Sequence, residues 1–230
     1  MKTFRSFGLL IPLLVIVLNP WWWTIIQRNL AVGVLIFVLS LVVYIYFWQI
    51  KLGKLLLVLS VLTIILFVIS TREAFDESIF RPSSLDIQQM SRRHEFYANG
   101  LGKIYTNRFS LAYFKEYNLP LYKLQRNFFG NLDPNLYFFN SHPRERLGVE
   151  EFNKYFPIFL PFFLIGIFYL ICKPLPKIMI YLVAISLISS IISPKYNLGP
   201  VLFFPIINFI ITVGIILASR YFAGKFWGMK

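Results

Sequence analysis

All ten carboxylates of this chain, Glu73 to Glu151, fall between Thr71 and Lys154. Neither the 72 residues before them nor the 79 after them hold another. The two outer blocks are long apolar runs broken only by Lys and Arg. A charge in hydrocarbon is costly, so blocks free of Asp and Glu on this scale predict membrane-embedded helices. The polar middle predicts a loop in water on one side of the bilayer, and carboxylate chemistry is confined to it. Three regions follow: a three-span block over 1–71, a loop domain over 72–154 and a second three-span block over 155–230.

Composition points the same way. The chain is 57% hydrophobic and 14% charged, where a soluble domain carries about 25% charged residues. A net charge of +13 would suit a nucleic-acid binder, but its distribution does not. Eleven of the 23 basic residues lie outside the loop, mostly at the ends of apolar runs, where they orient helices and meet anionic lipid. The loop itself holds 12 basic and 10 acidic residues, so no nucleic-acid partner is expected. The single cysteine, Cys172, makes neither an intrachain disulfide nor a thiolate metal site. His94 and His142 lie 48 residues apart without neighbouring ligands. No metal and no cofactor are expected, and no phosphate loop or nucleophile elbow is present.

Six apolar runs can be marked, at 7–19, 30–50, 55–70, 155–171, 178–192 and 201–219. The first imitates a signal peptide but lacks small-x-small cleavage residues at Leu18-Asn19-Pro20, so it is expected to stay as a first span. Several runs are shorter than about 20 residues; interfacial aromatics and snorkelling Lys or Arg cover such a deficit. With the N-terminus inside, nine basic residues fall at cytoplasmic ends and only Arg28 and Lys195 in the short outer turns. This positive-inside bias puts both termini in the cytoplasm and the long loop outside.

Within the loop the local signals are helical. Ser83-Ser84-Leu85-Asp86 predicts a helix start and Asn99-Gly100 its stop. A second helix is expected over 107–117, and Pro120 opens a third that ends at Gly130. The third carries Leu121, Leu124, Phe128 and Phe129 on one side, opposed by Lys123, Arg126 and Asn127. That stripe suits a helix lying on the membrane surface or on the other spans. Turn formers dominate 131–148, which predicts irregular structure.

The most distinctive stretch runs from Phe128 to Arg146. Asp133-Pro134 makes a turn beside the aromatic strip 136–139, and Arg144 and Arg146 follow His142 near the fourth run. His142, Arg144 and Arg146 form a basic, aromatic rim suited to a lipid phosphate, because guanidinium groups grip phosphate oxygens in pairs. The alternative is an interfacial aromatic belt with both arginines paired to Glu145, Glu150 and Glu151. Trp21-Trp22-Trp23 is expected to anchor at the interface, and Arg92-Arg93-His94-Glu95 to form a solvated helix face.

These features in this order resemble the late periplasmic loop and following spans of bacterial GT-C glycosyltransferases, the membrane enzymes related to protein O-mannosyltransferases and the aminoarabinose transferase. The residues that carry the likeness are Phe-Gly-Asn-Leu-Asp-Pro-Asn-Leu-Tyr-Phe-Phe at 129–139, His142-Pro143-Arg144 and the span 155–170. The likeness covers about 55–173, half the chain. It implies an all-α polytopic membrane protein of about six transmembrane helices in a bacterial inner membrane, handling a sugar carried on polyprenyl phosphate. The family's catalytic acid belongs to the first outer loop, and here the turn 21–29 has no Asp or Glu. The chain therefore resembles the C-terminal half of such an enzyme, as a fragment, a degenerate homologue or one half of a split transferase. Asp133 and Glu95 are the candidates for a substitute acid. Two readings follow: a transferase-like protein, alone or with a second membrane protein carrying the acid, and a non-catalytic membrane subunit or scaffold. A transporter is disfavoured, because the spans lack intramembrane charge.

Overall fold

The computed structural model describes residues 10–48, 53–71, 74–104, 106–139, 153–194, 198 and 200–226. Among them every regular element is a helix. The first two blocks are α1 (Leu10–Val17), α2 (Pro20–Arg28), α3 (Leu30–Trp48) and α4 (Gly53–Ser70). The middle holds α5 (Ser84–Leu101), α6 (Arg108–Ala112), a π turn (Tyr113–Tyr117), α7 (Asn118–Leu132) and the short α8 (Asn135–Phe138). Last come α9 (Leu160–Cys172), α10 (Pro176–Ser189) and α11 (Phe204–Phe226).

α11 is the axis of the bundle. Its most extensive contact is with α9, and it also packs on α3 and α1. Ile206 and Ile211 are wholly buried, and Asn208 and Thr212 are buried with them. A helix apolar on all sides is placed at the centre of a bundle. Val201–Phe222 is, by length and composition, the one helical stretch among the described residues fit to cross a membrane alone, and it is mostly buried. Lys54–Ser70 and Leu30–Tyr46 are apolar but shorter.

The expected first span is broken. α1 and α2 meet at 65°, because Asn19 caps α2 by accepting the Trp21 N–H at 2.8 Å and Pro20 takes its first position. The bend carries Trp21 inward. Its indole is fully buried against Tyr137, Tyr155 and Phe204, and Nε1 donates to the Leu198 carbonyl at 2.5 Å. The interfacial role expected of the tryptophan triplet therefore does not hold for Trp21. Trp23 is half exposed and Trp22 lies between the two.

The surface of the bundle is aliphatic. Leu57 and Ile69 on α4, Phe168 and Ile171 on α9, and Ile180 and Leu187 on α10 are each more than 60% exposed. Leu30 and Val34 on α3 add to this belt of exposed apolar side chains.

The middle segment is fastened to one end of the bundle. Phe75 forms an antiparallel bridge with Ile192, with Asp76 N–H donating to Ile191 O at 3.0 Å and Ser193 N–H to Ala74 O at 2.9 Å. α7 packs on α10. The expected helix starts at Ser83 and Asn107 are both present as side-chain caps. The first of these helices runs one residue past Asn99-Gly100, to Leu101, and is stopped by Gly102, whose φ of 56° favours glycine. α7 begins before Pro120 and passes Gly130, and within 131–148, expected to be irregular, Asn135–Phe138 folds into α8 with Tyr137 and Phe138 buried, while 140–148 lie outside the described residues.

Candidate functional site

The polar chemistry of the described residues gathers on the inward side of α7. Lys123, Asn127 and Asn131, spaced four apart, lie on one face, and all three are buried. Lys123 Nζ reaches Asp86 Oδ2 at 2.8 Å and donates to the Ser78 carbonyl at 3.1 Å. Asn127 Nδ2 donates to Asp76 Oδ2 at 3.0 Å, Arg126 reaches the same oxygen at 3.3 Å, and the Ser78 hydroxyl donates to Oδ1. Asn131 Nδ2 donates to Ser189 O at 2.6 Å and Ile192 O at 3.1 Å, closing the end of α10. The opposite face shows Leu121 and Phe129 to the outside.

Two carboxyls are held in their charged form by this network. Burial alone would raise Asp76, but hydrogen bonds from Ser78 and Asn127, with the charges of Arg126 and Lys123, outweigh it and bring it below its ordinary value. Asp86 is held down to about 2, first by Lys123 and then by the Ser83 side chain and backbone of its capping box. With both folded values below the unfolded one, their contribution is present above about pH 4 and is lost as the pH falls through the lowered values. These acids are fixed anions that tie the segment together, not proton donors near neutrality.

The candidate acids named from the sequence are not brought together. Glu95 is exposed on α5. Asp133 is partly buried and accepts the Asn135 N–H at 2.9 Å, capping the turn into α8. His142, Arg144 and Arg146 lie outside the described residues. Arg92 and Arg93 are exposed as expected, with the Arg93 guanidinium 5.9 Å from the Tyr122 ring centroid.

The concave feature at this end of the bundle was not anticipated. A cavity of about 510 Å³ opens between the α2–α3 junction, the end of α4 and the start of α11. Ile25, Val32, Phe67, Leu198 and Val201 form its apolar walls; Arg28, Asn29, Ser70 and Thr71 give it a polar edge, and Ile69 completes the lining. Among the described residues no carboxylate lines it. The described lining presents hydrogen-bond donors and one cation, Arg28. No family model, curated protein or solved structure matches the chain. Its geometry therefore carries the functional argument.

Proposed function

We propose that this chain is a polytopic integral membrane protein with about six transmembrane helices, resembling the C-terminal half of a polyprenyl-phosphate-sugar-dependent glycosyltransferase and lacking a catalytic acid of its own. The observation that carries the membrane part is the set of exposed apolar side chains on α3, α4, α9 and α10, with Leu57, Phe168 and Ile180 each about two-thirds exposed. Soluble monomers rarely show contiguous apolar patches above a few hundred Å², whereas in lipid such a surface is the favoured one. α7, with its amides and lysine turned inward and Leu121 and Phe129 outward, suits a helix lying at the bilayer surface. α3 and α4, of 19 and 18 residues, fall within the range of about 17–25 for a span. On this reading the chain sits in a bacterial cytoplasmic membrane with both termini inside and the middle segment outside.

The surroundings of the described acids support the reading that a catalytic acid is lacking. Asp76 and Asp86 are engaged by Lys123, Arg126 and Asn127, Asp133 caps a turn, and no described carboxylate lines the cavity. A second reading, a non-catalytic subunit or scaffold of a larger membrane complex, is supported by α5. It buries none of its residues and exposes Phe96, Tyr97 and Leu101, a surface for a second membrane protein. Purified alone, the chain should not transfer sugar from a polyprenyl-phosphate donor in a radiolabel assay. Turnover that Asp133→Asn or Glu95→Gln abolishes would overturn that.

A further inference from the structure

We infer that one face of α5 docks a second protein, and that this protein presents carboxylates beside an apolar patch. Leu85 and Phe96 are the anchors, and Arg92 between them is the charge that selects the partner. The inference rests on the reading of the chain as a subunit of a larger membrane complex, and it gives that partner its chemistry.

The capping box of Ser83 and Asp86 starts α5 and Gly102 stops it, so 18 residues hold helical shape, over about 27 Å. None of them is buried. Most of the stability of a helix in a protein comes from packing one of its faces, and the described residues supply little of that here. α5 is tied to the rest by Asp86, 2.8 Å from Lys123, and by the Arg93 guanidinium, 5.9 Å from the Tyr122 ring centroid. Leu85, Arg92 and Phe96 are seven and four residues apart, so they share a face. Asp86 and Arg93 each stand one position further on, about 100° round the helix from that stripe. The stripe is therefore turned away from α7. Leu85 is 67% and Phe96 75% exposed, with Arg92 exposed between them. Anchors at this spacing are how a helix lies in the groove of another protein.

Charge chooses the kind of partner. Over 84–112 the described residues expose Arg92, Arg93, Lys103 and Arg108 against Glu95 alone. The other carboxylate of this stretch, Asp86, is spent on Lys123. Among the described residues no carboxylate forms an ion pair with any of these four cations. A second copy docked through the same face would bring arginine against arginine, which like-charge repulsion opposes. A bilayer would accept Leu85 and Phe96, but sinking both into hydrocarbon carries down the arginine between them. A protein surface can meet that arginine with a carboxylate held by two parallel hydrogen bonds. Arginine and aromatic side chains are also the groups enriched at the centre of protein interfaces.

The test uses the full chain in the membranes of its own host, with the photo-reactive residue p-benzoylphenylalanine as the probe. It is placed at Phe96 and, in a separate chain, at Leu57 on α4; cross-linked peptides are read by mass spectrometry. From Phe96 the label should attach to one protein other than this chain, within a peptide that carries Asp or Glu. Arg92→Glu should cut that yield about tenfold or more at unchanged melting temperature. Arg92→Lys, which keeps the charge, should lose far less, and Glu95→Gln should leave the yield equal or higher. Equal yields with and without Arg92→Glu would overturn the site. So would attachment to lipid, to a second copy, to the chain itself or to a peptide without carboxylates. A protein captured from Leu57 but not from Phe96 would sink the α5 site and leave the subunit reading standing. No protein captured from either position would sink both.

Discussion

Trp21→Ala is expected to destabilise the folded chain by about 3–5 kcal/mol, the largest single-residue effect in the first block. The indole is wholly buried and touches three aromatic rings, with centroids 5.3 Å from Phe204, 5.7 Å from Tyr137 and 5.9 Å from Tyr155. These partners come from α11, from α8 and from the stretch before α9, so its removal opens a void where the middle segment meets the bundle. The Leu198 carbonyl loses its donor at the same time. Trp21→Phe separates the two contributions, keeping most of the volume while leaving that carbonyl without its donor, at about 1–3 kcal/mol. Trp23 is 48% exposed, and Trp23→Ala should cost no more than about 1 kcal/mol. Thermal and denaturant unfolding in detergent would rank the three variants. Equal losses at Trp21 and Trp23 would show that the triplet acts as a uniform interfacial anchor and that the hub around Trp21 does not matter.

Gly214→Leu is expected to force apart the largest helix pair of the molecule. α9 and α11 meet backbone to backbone: a Cβ on Gly214 would collide with the Phe162 carbonyl, and one on Gly166 with the Ile210 carbonyl. Small residues allow this approach, and on the membrane reading the contact depends on close van der Waals packing because lipid tails compete equally for apolar side chains. Overpacking ordinarily costs about 1–3 kcal/mol. Here the obstacle is main chain on both sides, so the loss should reach or pass the top of that range. Gly100→Ala is the control. Nothing lies within 4 Å of its position on α5, and alanine there should gain up to about 1 kcal/mol of helix stability. Comparable melting temperatures for Gly214→Leu and the wild type would contradict the packing of α9 on α11.

What could be read in the sequence was local. Ser83 with Asp86, and Asn107 with Ser110, are separated by three residues, and caps of that span are visible from spacing alone. The apolar runs likewise matched α3, α4 and α10 to within about three residues, while α11 continues seven residues past the end of its run at 219 and α2 was not marked as a helix. The interactions that fasten the middle segment were hidden for the opposite reason. Asp76 and Asn127 are 51 residues apart, Lys123 and Asp86 are 37 apart, and Asn131 meets Ser189 across 58. No short pattern announces such pairs. Periodicity did show that Lys123 and Asn127 oppose Leu121 and Phe129, but it cannot say which side faces the protein. That depends on whether the surrounding medium is water or lipid. Trp21 escaped for a related reason, since three adjacent tryptophans satisfy the composition rule for an interface while the Asn19-Pro20 bend turns one of them inward. The cavity edge at Arg28 was legible only as a basic residue in a short turn, because its walls come from three separate stretches of chain.

The central claim is that the belt of α3, α4, α9 and α10 faces lipid. The direct measurement is spin-label accessibility in liposomes, in a Cys172→Ser background because the native thiol is exposed. Nitroxides would be placed one at a time at Leu57, Phe168, Ile180 and Asn99, and relaxed with oxygen or with a water-soluble nickel chelate. Oxygen concentrates in hydrocarbon and the chelate is excluded from it. The account predicts that labels at Leu57, Phe168 and Ile180 respond strongly to oxygen and hardly to nickel, with the reverse at Asn99. Labels at the three belt positions that respond to nickel as Asn99 does would place the belt in water and contradict it.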